Sequence, residues 1–155
     1  MTTHNFKKGH LNPIQQQTIL TQIGEKILGR VPDGWSRITY LEESVIEHST
    51  GIVEVEHEDG SNSRVSPPPT ISLLVDELRA GMYQEGKGTW FSMKYVITPP
   101  GTFNAEFNYD EDPQITFPTA HGFTVDLKYF PRDEEYIPDW LREKLQEEAE
   151  GRATE

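Results

Sequence analysis

The sequence predicts an α+β fold in which an antiparallel sheet carries N-terminal, central and C-terminal helices, packed mainly on one of its faces. Two observations lead to this prediction. Apolar residues recur at helical spacing in three segments, whereas apolar and polar residues alternate in the segments between them. Turn residues separate several alternating segments by only a few positions, and such short connections favour antiparallel pairing because parallel strands need long crossovers.

The first helix is predicted from Asn12 to Gly29. Asn12 suits the N-cap, Pro13 suits the first helical turn, and Gln15 completes a capping box. The apolar residues that follow form one helical stripe, and the glycine supplies the stop signal. The stripe needs a surface to cover, and the next segments are predicted to provide it as a sheet.

Three strands are predicted next, at 35–41, 51–58 and 63–66. The first follows the turn Pro32-Asp33-Gly34 and is rich in β-forming residues. In the second strand, valines alternate with Glu54 and Glu56. The turn residues at 59–62 then predict a hairpin that leads into the third strand.

Pro67-Pro68-Pro69 ends the pairing, because proline donates no hydrogen bond to a strand ladder. A central helix is predicted from Thr70 to Gln84, with Thr70 as its cap. Its apolar positions recur at helical spacing over the whole segment.

The C-terminal half is predicted to contain three further strands and a helix. The clearest hairpin of the sequence joins 91–97 to 103–109, because alternating positions of both segments are apolar and a Pro-Pro-Gly turn separates them. The segment 123–129 also alternates and is predicted as the last strand. A final helix is predicted over 138–148, opened by a proline.

The composition is typical of one soluble domain. The chain has 155 residues, of which 34% are hydrophobic and none is cysteine, so disulfide frameworks, thiolate zinc sites and cysteine nucleophiles are excluded. A single domain is predicted over 12–149, between flexible tails at 1–11 and 150–155. Neither a signal-peptide pattern nor a long apolar run is present, so a cytoplasmic protein with no membrane partner is expected.

Motifs that indicate an enzyme are absent from the sequence. It contains no nucleophile elbow, phosphate-binding loop or dinucleotide fingerprint, so no catalytic residue and no cofactor is predicted. Two metal hypotheses are weaker than their alternatives. His48 and His57 would meet if they lay across a hairpin, and Asp110-Glu111-Asp112 offers oxygen ligands to a hard cation. Solvated histidines and a solvated turn are the simpler interpretations, so no metal site is predicted.

The negative charge is the strongest functional signal. Acidic residues outnumber basic ones by 26 to 14, and the formal net charge is −12. This charge disfavours nucleic-acid binding and attracts a basic protein partner. The strand acids carry the signal best, because aligned carboxylates repel one another unless a cation offsets them. The acids predicted to face a partner are Glu54, Glu56, Glu58 and Asp59; Asp110, Glu111 and Asp112; and Asp133, Glu134 and Glu135.

Tyr136 is predicted to be an aromatic anchor for the partner. It lies in an acidic loop between Pro131 and Pro138, where no regular element requires an aromatic residue. The tryptophans are weaker candidates, because core packing is predicted for at least two of the three.

Five local strings resemble a known family when their order and spacing are taken together. They are Ile23-Gly24; Val31-Pro32-Asp33-Gly34-Trp35; Trp90-Phe91-Ser92-Met93; Gly101-Thr102-Phe103-Asn104-Ala105-Glu106-Phe107-Asn108-Tyr109-Asp110; and Ile137-Pro138-Asp139-Trp140-Leu141. Over about Ile14 to Leu145 the chain resembles the YezG-like immunity proteins, which are small bacterial antitoxins that neutralise the toxic C-terminal domains of secreted polymorphic toxins. The chain departs from the family at Pro67-Pro68-Pro69 and in a shorter, less aromatic second strand.

The resemblance implies a non-enzymatic immunity protein that binds a cognate toxin C-terminal domain in a 1:1 complex. The basic surface of the toxin domain is the part that it contacts. A nuclease is the toxin class of the best-known cases, and toxins that degrade NAD form a second class. Two alternatives come from the residues themselves. One is a small carboxylate- or metal-dependent hydrolase that uses Asp110, Glu111 or Asp112 with a histidine, and the other is a general acidic interaction module.

Overall fold

The structure is a computed structural model that describes residues 7–115 and 120–151. The helices of this part are α1 (Pro13–Leu28), α2 (Ser72–Gly81), α3 (Gly122–Tyr129) and α4 (Asp139–Ala149). Its strands are β1 (Trp35–Val45), β2 (His48–His57), β3 (Asn62–Val65), β4 (Ser92–Thr98) and β5 (Thr102–Asn108).

The strands form one antiparallel sheet in the order β3-β2-β1-β4-β5. β1 is the central strand, and its register pairs Tyr40 with Val53 of β2 on one side and with Tyr95 of β4 on the other. Hairpins connect β1 to β2, β2 to β3 and β4 to β5, whereas α2 lies in the connection from β3 to β4. The predicted α+β class and antiparallel sheet are confirmed.

The capping box predicted at the start of α1 is present. The N–H of Gln15 donates to the side-chain oxygen of Asn12 at 2.8 Å, and the N–H of Asn12 donates to the side-chain oxygen of Gln15 at 2.9 Å. The box satisfies amide groups that a helix N-terminus otherwise leaves without partners. Pro13 occupies the first turn, and the helix ends before Gly29, as predicted.

α1 and α2 cover one face of the sheet. Ile23 and Ile27 of α1 and Leu78 of α2 pack against a row of buried strand residues. The hydroxyl of Tyr95 also donates a hydrogen bond of 2.6 Å to the carbonyl oxygen of Leu20, which ties β4 to α1. The buried strand residues are Ile38, Tyr40, Val53, Val55, Met93, Tyr95 and Ile97.

α3 and α4 close a second core at one end of the sheet. Val45, the last residue of β1, and Phe91, just before β4, pack against Phe123 of α3 and Leu141 of α4. The ring of Trp140 lies edge-on to its neighbours, with centroids 5.4 Å from Phe91 and 5.7 Å from Phe123. Such edge-to-face pairs add to the stabilisation that comes from burying the rings.

The predicted last strand at 123–129 is wrong, because this segment forms α3. Phe123, Asp126 and Phe130 are the buried side chains of the segment, and their spacing of three and four residues is helical. The apolar alternation concealed this spacing because a charged residue, Asp126, occupies a core position. Its buried partner is Arg79 of α2, which no local pattern indicates.

The central helix is shorter than predicted. Residues 69–71 form a 3₁₀ turn, and α2 begins only at Ser72 and ends at Gly81. Thr70 therefore lies inside the 3₁₀ turn, and within the described residues no side chain caps α2, so the cap predicted at Thr70 is wrong. Gly81 is packed tightly at the end of α2, because a Cβ there would lie 2.3 Å from the side chain of Leu11.

Residues 9 and 11 of the N-terminal segment lie against α2. The N–H of Gly9 donates to the carbonyl oxygen of Ala80 at 2.9 Å, and the N–H of Leu11 donates to that of Gly81 at 3.2 Å. Residues 7–11, which belong to the predicted tail, therefore contact the domain. The rest of that tail, at 1–6, and most of the C-terminal tail, at 152–155, lie outside the described residues.

Candidate partner-binding surface

The fold brings two of the three predicted acidic segments to one place. Asp110 follows β5, the segment 133–136 precedes α4, and both contact the side chain of Arg132. All of these predicted residues are exposed to solvent. We define the acidic surface as Asp110, Glu111, Asp112, Asp133, Glu134, Glu135 and Tyr136.

The buried side chain of Arg132 connects the two segments of the acidic surface. Its side chain is 1% exposed, and its Nη1 lies 3.6 Å from Oδ1 of Asp110. Its guanidinium donates to the carbonyl oxygens of Tyr136 at 2.9 Å, Thr89 at 3.2 Å and Tyr109 at 2.5 Å. A planar guanidinium suits this position because its rigid fork carries five donors. Burial lowers the pKa of Arg132, and this effect exceeds the opposing effect of the neighbouring Asp110.

Further bonds fix the backbone of the first acidic segment. The indole N–H of Trp140 donates to the carbonyl oxygen of Asp110 at 2.7 Å. The N–H of Glu111 donates to the side chain of Asn108 at 2.8 Å, and the N–H of Gln114 donates to Asp112 at 2.9 Å. These are turn-forming bonds. They hold the backbone and leave the side chain of Asp110 76% exposed.

Tyr136 is 36% exposed, in the 3₁₀ turn Glu134–Tyr136. The ammonium of Lys87 lies 5.4 Å from the centroid of its ring. Arg142 lies 3.2 Å from Glu134, whose side chain is 86% exposed. Exposed pairs of this kind are weak. Because the acidic surface carries six carboxylates and contacts these two cations and the buried Arg132, its net charge is negative.

The strand acids form a separate surface, and two of them are offset by arginines of this chain. Glu54 lies 2.8 Å from Arg64, and Glu56 lies 3.8 Å from Arg37. These two arginines bracket the acidic run in the sequence, and the pairing of β2 with β3 and β1 returns them to it. Glu58 follows the end of β2, so it is not aligned with the other two on the strand.

Asp59 lies in the turn between β2 and β3. Its carboxylate accepts hydrogen bonds from the backbone N–H of Ser61 at 2.8 Å and from the hydroxyl of Ser61 at 2.6 Å. These bonds lower the pKa of Asp59. β2 and β5 are three strand spacings apart in the sheet, about 14 Å. The strand acids and the acidic surface therefore lie toward opposite edges.

The structure does not bring His48 and His57 together. They are the first and last residues of β2, and the rise of a strand places them about 30 Å apart. His57 is hydrogen-bonded to the hydroxyl of Ser63 at 2.8 Å. Within residues 7–115 and 120–151, no three histidines or carboxylates are placed to hold a metal ion together. The hypothesis of a metal between the two histidines is therefore wrong.

Sequence reasoning missed Arg132, the residue on which the geometry of the acidic surface depends. A local signal for it exists, because this single arginine stands between the buried Phe130 and three consecutive acids. An arginine beside an apolar position in an acidic segment is a candidate for burial with its charge satisfied by neighbouring acceptors.

Comparison with known proteins leaves the family open. No family model matches this chain, and no curated protein matches it at a significant level. In the part of the chain that the structure describes, no helix has both the length and the apolar character needed to cross a membrane.

Proposed function

We propose that this protein is a non-enzymatic immunity protein that acts in the cytoplasm. It binds a basic toxin domain in a 1:1 complex and occludes or distorts the active site of that domain. The observation that carries the proposal is the acidic surface, in which six carboxylates and a tyrosine are exposed on two backbone segments that Arg132 and Trp140 hold together. A surface arranged before binding loses little conformational entropy on association.

Charge and shape have separate roles in this proposal. The negative field of the acidic surface accelerates encounter with a positively charged partner, and this effect decreases with salt. Tyr136, which is the exposed aromatic of this surface, contributes to the lifetime of the complex because buried tyrosines are frequent hot spots.

The proposed target is a nuclease, with an NAD-degrading toxin as the second class. A nuclease cleft binds phosphates and is therefore positively charged, which makes it complementary to an acidic protein of charge −12. The strings that resemble the YezG-like immunity proteins support the same function, and β5 and α4, where two of them lie, flank the acidic surface.

Co-expression with the toxin domain encoded by the adjacent gene tests the proposal. We expect the wild-type chain to restore growth of a sensitive host. Unchanged killing, with both proteins soluble, contradicts the proposal. Titration against unrelated basic proteins at physiological salt is the selectivity control, since comparable binding to all of them indicates a general acidic module instead.

A further inference from the structure

A further acidic feature lies on the inner face of the sheet, in a pocket lined in part by β1 and β2. A pocket of about 230 Å³ separates the inner face of β1 and β2 from Pro67-Pro68-Pro69 and the start of α2. Its floor is buried, because Tyr40, Glu42 and Ile71 are at most 6% exposed. Its rim consists of exposed residues, which include Ser49, Pro69 and Ser72.

Glu42 lies at the floor of the pocket and is held by neutral groups. The hydroxyl of Tyr40 donates to Oε1 at 2.6 Å, and the hydroxyl of Ser44 donates to Oε2 at 2.8 Å. The hydroxyl of Ser49, at the rim, has a small lowering effect on the pKa of this carboxyl. A carboxylate offers about four lone-pair positions. Its hydrogen-bonding capacity is therefore not filled, and these hydroxyls leave its charge without compensation.

Asp76 brings a second carboxylate to the wall of the pocket. Burial raises the pKa of Asp76, and the field of Arg79 opposes this effect. Arg79 itself is engaged elsewhere, with Asp126 at 2.7 Å and with the carbonyl oxygen of Trp90 at 2.7 Å. Among the described residues, no lysine, arginine or histidine lines the pocket. Two carboxylates therefore face one cavity that contains no cationic side chain.

Gly51 keeps the pocket open. A Cβ at this position would lie 2.7 Å from Oε1 of Glu42 and 3.2 Å from the ring of Pro67. Gly51 is not among the glycines with positive φ, and glycine weakens the interior of a strand, so backbone conformation does not explain it. A glycine at position 51 is explained by the space that its missing side chain leaves for the pocket. Pro67, Pro68 and Val75 add apolar walls to a cavity whose floor is charged.

We propose that this pocket accepts a single basic side chain of the partner, with its aliphatic stem against the proline walls and its ammonium or guanidinium group beside Glu42 and Asp76. The inference rests on the proposed function, because the side chain belongs to the bound toxin domain. A cation with N–H donors satisfies both the charge and the vacant acceptor positions. At about 30 Å³ per water, the volume corresponds to about eight water-sized heavy atoms, which is enough for one arginine side chain.

NMR titration with n-propylguanidinium and n-butylammonium tests the pocket without the toxin. We expect saturable shifts of the amides of Thr50 and Gly51, and none with n-butanol as the neutral control. Binding should be about tenfold tighter at pH 8 than at pH 6, because Glu42, with a pKa of about 7, is mostly protonated at the lower pH.

Among the described residues, Tyr40 and Asp76 are the other titratable groups that face Glu42. Tyr40 lies beside it on β1, and burial raises the pKa of Tyr40 above its usual range, so it does not titrate between pH 6 and pH 8. Asp76 faces Glu42 from α2. The variant Asp76→Asn measures how much Asp76 contributes to the pH dependence of cation binding. Pocket binding that is identical at pH 6 and pH 8 in the wild-type protein overturns the role of Glu42.

Glu42→Gln should abolish the pH dependence and most of the binding. Glutamine resembles the protonated carboxyl in shape, so the variant is expected to fold, and its unfolding midpoint checks this. The matched control is Glu43→Gln, whose side chain lies on the opposite face of β1 and should leave cation binding unchanged. Absence of saturable shifts in the wild-type protein, or equal binding by Glu42→Gln, overturns the proposal.

The growth assay separates failure of the pocket from failure of the proposed function. A wild-type chain that does not protect the host contradicts the function, whatever the pocket binds. If the wild-type chain protects, loss of protection by Glu42→Gln but not by Glu43→Gln supports a side chain of the partner as the occupant. Full protection by Glu42→Gln, together with cation binding by the wild-type pocket, indicates a free cation and overturns the assignment to the partner.

Discussion

Arg79 of α2 and Asp126 of α3 form a buried, bidentate ion pair. The two nitrogens lie 2.7 and 2.9 Å from the two carboxylate oxygens, and each side chain is 2% exposed. The Nε of Arg79 also donates to the carbonyl oxygen of Trp90, and the N–H of Ile46 donates to Asp126, both at 2.7 Å. The pair therefore joins α2, α3, the β1–β2 turn and the segment before β4.

Removing one partner of this pair should destabilise the protein strongly, because the other charge is left buried without compensation. We expect Asp126→Ala to lower the free energy of unfolding by about 3–5 kcal/mol, measured by urea denaturation. The double variant Arg79→Met, Asp126→Leu should lose less than the sum of the two single variants, since it buries no orphaned charge. Strictly additive losses would contradict this account.

The ion pair also explains where sequence-based prediction of the fold succeeded and failed. α1 and the β4–β5 hairpin carry their signals locally, in a capping box and in alternating apolar residues. α3 does not, because its central core position is Asp126, whose partner lies 47 residues away. Hydrophobic periodicity counts only apolar residues, so it cannot detect a charged residue that is buried in the core.

The candidate site, like the fold, was predictable from the sequence only in part. Composition and local context identified the acids of the acidic surface and Tyr136, but their grouping depends on Arg132 and Trp140, which act between distant segments. Glu42 carries a local signal that the sequence analysis did not use. It follows the buried Ile38 and Tyr40 at alternating positions of β1, so its side chain had to lie on the inner face of the sheet.

The buried carboxyl of Glu42 should make stability depend on pH. Burial raises its pKa from 4.5 to about 7, so the folded state binds the proton more tightly than the unfolded state. Its contribution to stability is therefore fully present below about pH 4.5 and is lost as the pH rises through about 7. We expect the free energy of unfolding of the wild-type protein, relative to Glu42→Gln, to fall by up to about 3 kcal/mol between pH 4 and pH 8.

Denaturation of both proteins across this pH range, followed by circular dichroism, measures the difference. The comparison with Glu42→Gln cancels the titration of the other acids, because both proteins contain them. A difference that stays constant with pH would show that the carboxyl titrates in the folded state as it does in the unfolded state.

Gly51 provides a test of the tight contact between β2 and the pocket floor. Gly51→Ala places a methyl group 2.7 Å from Glu42 and should cost about 1–3 kcal/mol in the free energy of unfolding, as overpacked positions do. Gly29→Ala is the matched control, because the nearest atom to a Cβ there is the carbonyl oxygen of Lys26 at 3.5 Å and φ is −66°. We expect the control to stay within about 0.5 kcal/mol of the wild-type protein in thermal or urea denaturation. Equal effects of the two substitutions would contradict the close contact.

The two groups of acids should differ in their effect on association with the toxin domain. Glu54 and Glu56 already face Arg64 and Arg37, whereas the acids of the acidic surface exceed the cations in contact with them. We expect Asp133→Asn, Glu134→Gln, Glu135→Gln, combined in one variant, to lower the association rate at low salt by about tenfold or more. The matched variant Glu54→Gln, Glu56→Gln, Glu58→Gln, which removes the same number of negative charges, should lower it less.

Stopped-flow mixing at low and high salt measures both rates, and circular dichroism checks that the variants are folded. The dissociation rates should change little, because exposed charges at the rim of an interface act mainly on encounter. The difference between the variants should also shrink at high salt, where the field is screened. If instead the strand variant slows association more than the acidic-surface variant, the partner first approaches the β2–β3 edge, which contradicts the leading role given to the acidic surface in encounter.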